Sequence, residues 1–288
     1  MIPSRRPRDV GENIVRPPLS IGGKLGLGAL CLFGLLPVYW LVATAFMKRD
    51  DVFAQNRPLF PTHPTLEHFT AFFSNADLLH NLVNSAIVST GTALVSVAAS
   101  SLMAYSLSKF RYRGRNMIMV MFLVGQLIPG ALLLVSLYLM FSSAGILYTY
   151  LAMIIAFTTF TLPLTVFLLK GVIDALPDEI IEAGKADGLS NLAVFFRIIL
   201  PLIGPGLVTA GMFAFMRGWS DLLFALTLAG PAKQTLPAGL ASAFIHEGSA
   251  DWPALMASSV ITSVPLAVIF ILLQRFFVAG IAAGAVKG

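Results

Sequence analysis

Arg217 and Asp221 stand four residues apart inside a long apolar stretch. On a helix that spacing puts a cation and an anion on one face, where they can satisfy each other. Ionisable groups at membrane depth are costly and usually face a bundle interior or a hydrated path. Two roles are open for the pair, a structural tie or the lining of a cavity. Trp219, between them, also reads two ways. Its ring can stack on a sugar face, or it can mark a membrane interface. Gln126 lies three residues before Pro129 in another apolar stretch. Proline removes a backbone donor and favours a kink, which frees carbonyls. The Gln126 amide can then bind a substrate or those carbonyls. Pro163 is placed to kink a further stretch in the same way.

A second concentration of chemistry lies between Gly171 and Pro205. Pro177 suits the first position of a helix, and Asp178, Glu179 and Glu182 suit its early, anion-favouring turns. Gly188 is placed to end that helix. Ser190 can cap a second helix carrying Leu192, Phe195, Phe196 and Ile199 on one side. Pro201 and Pro205 are expected to break it. The prediction is two short helices at an angle, built to touch a partner. Helices lying flat on a bilayer carry basic residues on their polar face, and the first helix here is acidic.

These residues sit in a chain of 288 residues that is 57% apolar and only 11% charged. Soluble domains carry about 25% charged residues. Mean hydropathy is +0.84. The balance excludes a disordered chain and argues for a protein that crosses a membrane several times. A single cysteine, Cys31, excludes a disulfide scaffold and reads as a small apolar residue. The net charge of +5 is a topology signal here rather than a sign of nucleic acid.

A hydrocarbon core about 30 Å thick needs about 20 apolar residues of helix. Six segments qualify, at about Leu25–Met47, Leu82–Leu107, Met117–Phe141, Tyr150–Leu169, Leu207–Ala229 and Trp252–Val278. One set of flanks holds Arg5, Arg6, Arg8, Arg16, Lys24, Lys109, Arg111, Arg113, Arg115, Lys170, Lys185, Arg197, Arg275 and Lys287. The other holds only Lys48, Arg49, Arg57 and Lys233. The richer side is expected inside, so both termini are cytoplasmic. Ala43-Thr44-Ala45 resembles a signal cleavage site, but the apolar run before it is too long for a signal peptide. The first segment is therefore read as a retained span.

The second segment carries Asn81, Ser85, Ser89, Thr92, Ser96 and Ser100 at helical spacing. Such a stripe favours close helix packing, with a hydrated wall as the second reading. The outer loop from Lys48 to Asn81 is expected to hold a short helix starting near Thr65, with Glu67 in its first turn. His63, His68, His80 and His246 all fall on that outer side, and their spacing makes no metal site. His246 and Glu247 lie in the last outer loop, where ordinary polar surface is as good a reading as binding.

The loop reads Glu182-Ala183-Gly184, three residues, Gly188, nine residues, Ile198, one residue, Leu200-Pro201. This is similar to the EAA motif of ATP-binding-cassette importer permeases. The departure is Gly184 where the pattern has a second alanine, which costs a helix up to about 1 kcal/mol. Asp187-Gly188 looks like the pair common in carbohydrate-type members. Gly125 to Pro129, Trp219-Ser220-Asp221 with Phe224-Ala225, Thr235 to Leu240, Asp251-Trp252, Gln274 to Phe277 and Gly284 to Gly288 resemble the same subfamily. The chain as a whole resembles the shorter permease of maltose-type importers.

The resemblance implies an all-α integral membrane protein of type I importer fold, with six transmembrane helices and cytoplasmic coupling helices. It implies a cytoplasmic tail over 1–24, a six-span domain over 25–280 with its conserved-type core at about 78–278, and a tail over 281–288. Its implied partners are a second permease, two ATPase subunits and an extracytoplasmic binding protein, in the cell membrane. Glu182, Ala183, Gly184, Asp187, Gly188 and Leu189 would form the ATPase-coupling element, Glu182 pairing with a basic residue of the ATPase. Gln126, Pro129, Arg217, Trp219 and Asp221 are the candidate path for a sugar. No stretch fits G-x4-G-K-[ST], so ATP and magnesium would belong to partner subunits, and no catalytic or metal residue is expected in this chain. Rival readings are an importer for glycerol phosphate esters, peptides or amino acids, a secondary transporter, and a structural subunit. A secondary transporter wants inverted repeats and paired discontinuous helices, and none is evident in the sequence.

Overall fold

The computed structural model describes residues 20–246 and 249–285. The N-terminal arginines, Glu247 and Lys287 lie outside the described residues.

Long apolar runs form the long helices. The first is α1 (Ile21–Ala45). Short helices α2 (Arg49–Val52) and α3 (Glu67–Ser74) follow in the loop before α4 (Ala76–Lys109). The predicted helix near Thr65 is thus α3, and the Thr65 hydroxyl accepts from the Glu67 amide at 3.1 Å. Asn75 caps α4, its Oδ1 accepting from the amides of Asp77 and Leu78. The 34 residues of α4 measure about 51 Å, which exceeds the hydrocarbon core. Its last turns carry Tyr105, Ser108 and Lys109.

The third predicted span is not one rod. It divides into α5 (Arg115–Gln126) and α6 (Gly130–Ser143), bent by 102°. Pro129 forces the residue before it out of helical geometry, and its own backbone is extended at ψ 121°. The bend is far larger than the kink that a single proline predicts. Pro163, by contrast, lies within the unbroken α7 (Tyr150–Asp174).

The predicted loop helices follow as α8 (Asp178–Ala186), α9 (Asn191–Val194), a π-helical turn (Phe195–Ile199) and α10 (Leu200–Leu202). Pro177 occupies the N-cap rather than the first helical position. Pro201 does not break the second helix. The wider turn ahead of it, closed by the Leu200 amide on the Phe195 carbonyl, gives its ring room. The chain turns instead by 81° at Ile203, into α11 (Gly204–Ser220). Pro205 sits comfortably in the first turn of α11.

The fifth predicted span also breaks, at Asp221, before α12 (Leu223–Leu228). A 3-10 turn (Pro231–Lys233), α13 (Leu236–Phe244) and the two-residue strands β1 (Ile245–His246) and β2 (Ser249–Ala250) lead to α14 (Trp252–Ala285). Among the described residues four helices are long and apolar enough to cross a membrane, or up to six if the bent pairs α5–α6 and Asn191–Leu202 with α11 each count as one span.

The bundle is organised around α4, with α7 and α11 packed along it. Its small polar stripe is buried: Ser85, Ser89, Thr92, Ser96 and Ser100 have no exposed surface. Ser96 and Thr161 share a hydrogen bond of 2.8 Å, and the Ser85 hydroxyl accepts from the Leu236 amide at 2.7 Å. The stripe is therefore a packing seam. Gly218 is what lets α11 close on it, since a Cβ there would lie 2.9 Å from Ser89 Cα.

Gly218→Val is expected to push α11 off α4 and lower stability by about 1–3 kcal/mol. Thermal unfolding in detergent should show a lower midpoint for it. Gly125→Ala, inside α5 with open space around it, should leave the midpoint unchanged or slightly raised.

Candidate functional site

The loop between α7 and α11 carries its own core. Ile181 of α8, Val194, Phe195 and Ile199 bury against Tyr105, Leu169 and Ile173. Phe195 and Ile199, four apart, share the inward face, while Leu192 and Phe196 are 64% and 55% exposed. The predicted single apolar face is thus split, with one pair turned outward.

Gly188 has φ +83°, a left-handed conformation that glycine adopts readily. It closes α8 as predicted. Its amide donates to the Lys185 carbonyl, and the Leu189 amide donates to the Gly184 carbonyl, both at 3.0 Å. This pair of bonds is a Schellman cap, and it brings Leu189 down beside Gly184.

Gly184, expected in the coupling element, packs inward. It is buried, and a Cβ there would lie 2.6 Å from Ile198 Cδ1 and 3.4 Å from Val194 Cγ2. Its small size serves the approach of α8 to the second loop helix. Glu182 and Ala183 are exposed on α8, Glu182 beside the cleft that Asp178 shares with Tyr105, Lys109 and Arg115, and Asp187 is exposed at the helix C-cap.

The long α4 grips this loop. Lys109 Nζ donates to Asp178 Oδ1 at 2.6 Å and to the Leu176 carbonyl at 3.0 Å. Ser108 donates to Asp174 at 2.6 Å, and Tyr105 hydroxyl reaches the Asn191 carbonyl at 3.4 Å. Tyr105 also packs its ring 5.3 Å from that of Phe195. The Lys109 hydrogen bond and charge hold the Asp178 carboxyl below the usual carboxylate range. Sequence reading missed these anchors, because Lys109 looked like an ordinary topology-setting charge. Its place at the end of a helix longer than the bilayer was the available signal.

The second group of predicted residues divides: Arg217 and Asp221 pair with each other, while Gln126 and Pro129 lie exposed on the neighbouring α5–α6 bend. Gln126 Nε2 donates to the Phe160 carbonyl of α7 at 3.1 Å. It therefore binds neither a carbonyl freed by Pro129 nor its own helix. Arg217 pairs with Asp221 at 3.1 Å, and its guanidinium lies 5.8–5.9 Å from the ring centres of Phe157, Phe160 and Phe224. These distances suit cation–π attraction, which is strongest away from water. Asp221 Oδ1 also accepts from the Phe224 amide at 2.9 Å and so caps α12. Gly130, beside Pro129, faces the rings of Phe160 and Phe224. The two broken spans thus converge, and Phe160 and Phe224 join the breaks.

Trp219 is set apart from that cluster. It is 5% exposed, stacks on Phe215 at 5.4 Å and donates to the Thr262 carbonyl at 3.2 Å. It ties α11 to α14, and its edge borders a cavity of about 370 Å³ that includes Ser220, Ser259 and Ser263.

Long apolar helices, two of them in bent pairs, with a structured helical loop between α7 and α11 fit a multi-pass membrane protein. Residues 96–283 match the family model described as the binding-protein-dependent transport system inner membrane component, and the chain belongs to that family. It is 36% identical over 271 residues to the inner membrane ABC transporter permease protein YcjP of Escherichia coli, covering 93% of this chain and 96% of that protein. It is 35% identical over 264 residues to the diacetylchitobiose uptake system permease protein DasC of Streptomyces coelicolor, covering 90% and 95%. It is 31% identical over 280 residues to the trehalose/maltose transport system permease protein MalG of Thermococcus litoralis, covering 96% and 99%. Among solved structures, a bacterial ABC transporter involved in import of the acidic polysaccharide alginate has a chain of the same fold. Its TM-score is 0.77 at 18% identity, with 89% of this chain and 95% of that chain covered. The protein is a multi-pass ABC importer permease.

Two outcomes follow from this geometry. Arg217→Gln should destabilise the bundle by leaving Asp221 buried without its cation, and adding Asp221→Asn should recover part of the loss. Unfolding midpoints of the single and double variants check this. Because the Asp178 carboxyl is held low, the Lys109 tie is fully formed above about pH 4, its unfolded value, and is lost as pH falls through the lower folded one. Protease nicking of α8 should therefore stay constant from pH 8 to about pH 5, and Asp178→Asn should raise it throughout that range.

Proposed function

We propose that this chain is one of two permease subunits of an ATP-driven importer for a sugar or oligosaccharide. Two separate ATPase subunits, holding ATP and magnesium, receive α8 in a surface groove, and an extracytoplasmic binding protein delivers the cargo. The observation that carries the reading is the capped α8, held to α4 by the Lys109–Asp178 pair and to the second loop helix at Gly184, with Glu182 and Ala183 exposed along it. A displacement of α8 then passes into α4, α7 and α11 through packed contacts instead of being absorbed by a soft loop. Both termini face the cytoplasm with α8, in line with the excess of Lys and Arg on that side. The six-span domain covers 25–280, with tails on either side.

Glu182 offers its carboxylate to a basic residue of the ATPase, and Gly188 and Leu189 keep α8 at its angle. Gln126, Pro129, Arg217 and Asp221 border the path where the two broken spans converge, and Trp219 holds the wall behind them. The carbohydrate class is supported by the relatives named for diacetylchitobiose and for trehalose and maltose. The subfamily-like residues from Gly125 to Pro129 and from Trp219 to Ala225 point the same way.

Affinity purification from the native membrane should bring down a second permease and P-loop subunits, with ATPase activity stimulated by a sugar-binding protein. Glu182→Lys should insert normally yet lose at least about 90% of uptake, since it sets like charges against each other at a docked contact. Full uptake by that variant would sink the assignment.

A further inference from the structure

At the end of α4 opposite Lys109 the structure has a cavity of about 480 Å³. Its walls come from the first turns of α4, the 3-10 turn and α13. The backbone frame is rigidly held. The Asn84 amide donates to the Gln234 carbonyl at 2.9 Å, the His80 ring meets the Ala232 carbonyl at 3.2 Å, and Tyr150 hydroxyl donates to Asn84 at 2.7 Å. Asn75, also at the wall, is occupied in capping α4.

Asn81 is the anomaly. It is 92% buried (8% exposed), yet its side-chain amide has no hydrogen-bond partner among the described residues. It is absent from the fully enclosed unpaired atoms too, so its amide looks into the cavity. Its Nδ2 is packed so closely on Gly239 that a Cβ there would lie 2.0 Å away. That contact fixes the amide in place. Buried polar groups are nearly always paired, so a fixed and unpaired amide at a cavity wall points to something that comes and goes. The side chains of Asp77, Gln234 and Ser242 border the same space and likewise make no hydrogen bond within the described residues.

An amide pair, a carboxylate and a hydroxyl around one concave space form a mixed donor and acceptor set without a metal-binding cluster. Adjacent hydroxyls of a neutral polyol are donors and acceptors at once and match such a set, while the single carboxylate opposes an anion. We propose that this cavity is a reception site for the hydroxyls of the cargo, at the far end of the bundle from the coupling loop. The site rests on the sugar reading of the transporter. It is separate from the Arg217 cluster and provides a first resting place before the path opens. Asn81 donates to and accepts from the ligand, and Asp77 and Gln234 bind further hydroxyls.

The test is saturation-transfer NMR on the intact transporter complex in nanodiscs without its binding protein. Trehalose, maltose and diacetylchitobiose serve as probes. Uptake of the same three sugars is measured in parallel with binding protein present. The expected result is transfer to at least one probe, weakened about threefold to tenfold by Asn81→Ala, as for the loss of one or two hydrogen bonds. Ser242→Trp, which fills the cavity from its exposed rim without touching the α4 seam, should abolish it. Transfer that survives both variants overturns the site, and so does the absence of transfer for a probe that is taken up. An absence of uptake for all three sugars marks a failure of the transport reading instead, since that arm does not depend on the cavity.

Discussion

The closeness with which α7 and α11 approach α4 is the constraint on which the rest of the molecule depends. In a bilayer, lipid tails are as apolar as leucine, so helices do not associate by escaping water. They associate by contact, and contact requires small surfaces. The seam from Ser85 to Ser100 supplies one such surface and Gly218 the other, where Ser89 leaves no space for a Cβ. The hydroxyls of Ser96 and Thr161 join across the seam at little cost in width. Once this three-helix unit is tight, the ends of its helices have defined positions, and the breaks can be tolerated.

The breaks in the third and fifth spans would be liabilities in a helix facing lipid, because they expose backbone groups. The break at Asp221 is buried, whereas the third-span break carries Leu127 and Ile128 at 80% and 46% exposed and is tied inward through Gln126. Gln126 and Phe160 close one side, and Asp221 with the Phe224 amide closes the other. Arg217 sits between them, with one anion and three aromatic rings around it. Irregular backbone at membrane depth occurs where it is buried in protein or lines a cavity. The same rule explains why the two candidate path segments sit together although about ninety residues separate them.

At the coupling end, length decides the architecture. The 34-residue α4 is long enough that its last turns, with Tyr105, Ser108 and Lys109, reach the loop. They hold α8 and the second loop helix through one ion pair, several hydrogen bonds and an aromatic contact. Gly184 lets those two loop helices touch. The loop is thereby one body with the bundle, the mechanical condition for a partner's movement to reach the membrane path.

Sequence alone determined the class and the element plan. Apolar runs of span length, the Lys and Arg asymmetry and the spacing from Glu182 to Pro201 are local properties, and local properties are readable without coordinates. The stop at Gly188, the cap at Ser190 and the packing role of the α4 stripe were legible for the same reason: each follows from one residue type in one conformation or from helical periodicity. What needed the tertiary structure was every choice among neighbours. Only there does Gly184 turn inward, does Leu192 part from Phe195, and does Pro129 turn the chain by 102° while Pro163 lies in an unbroken helix. Only there does Lys109 find Asp178 and Arg217 find its aromatic rings. Those outcomes depend on which surface lies opposite, and a linear pattern carries no information about what a distant helix will place there.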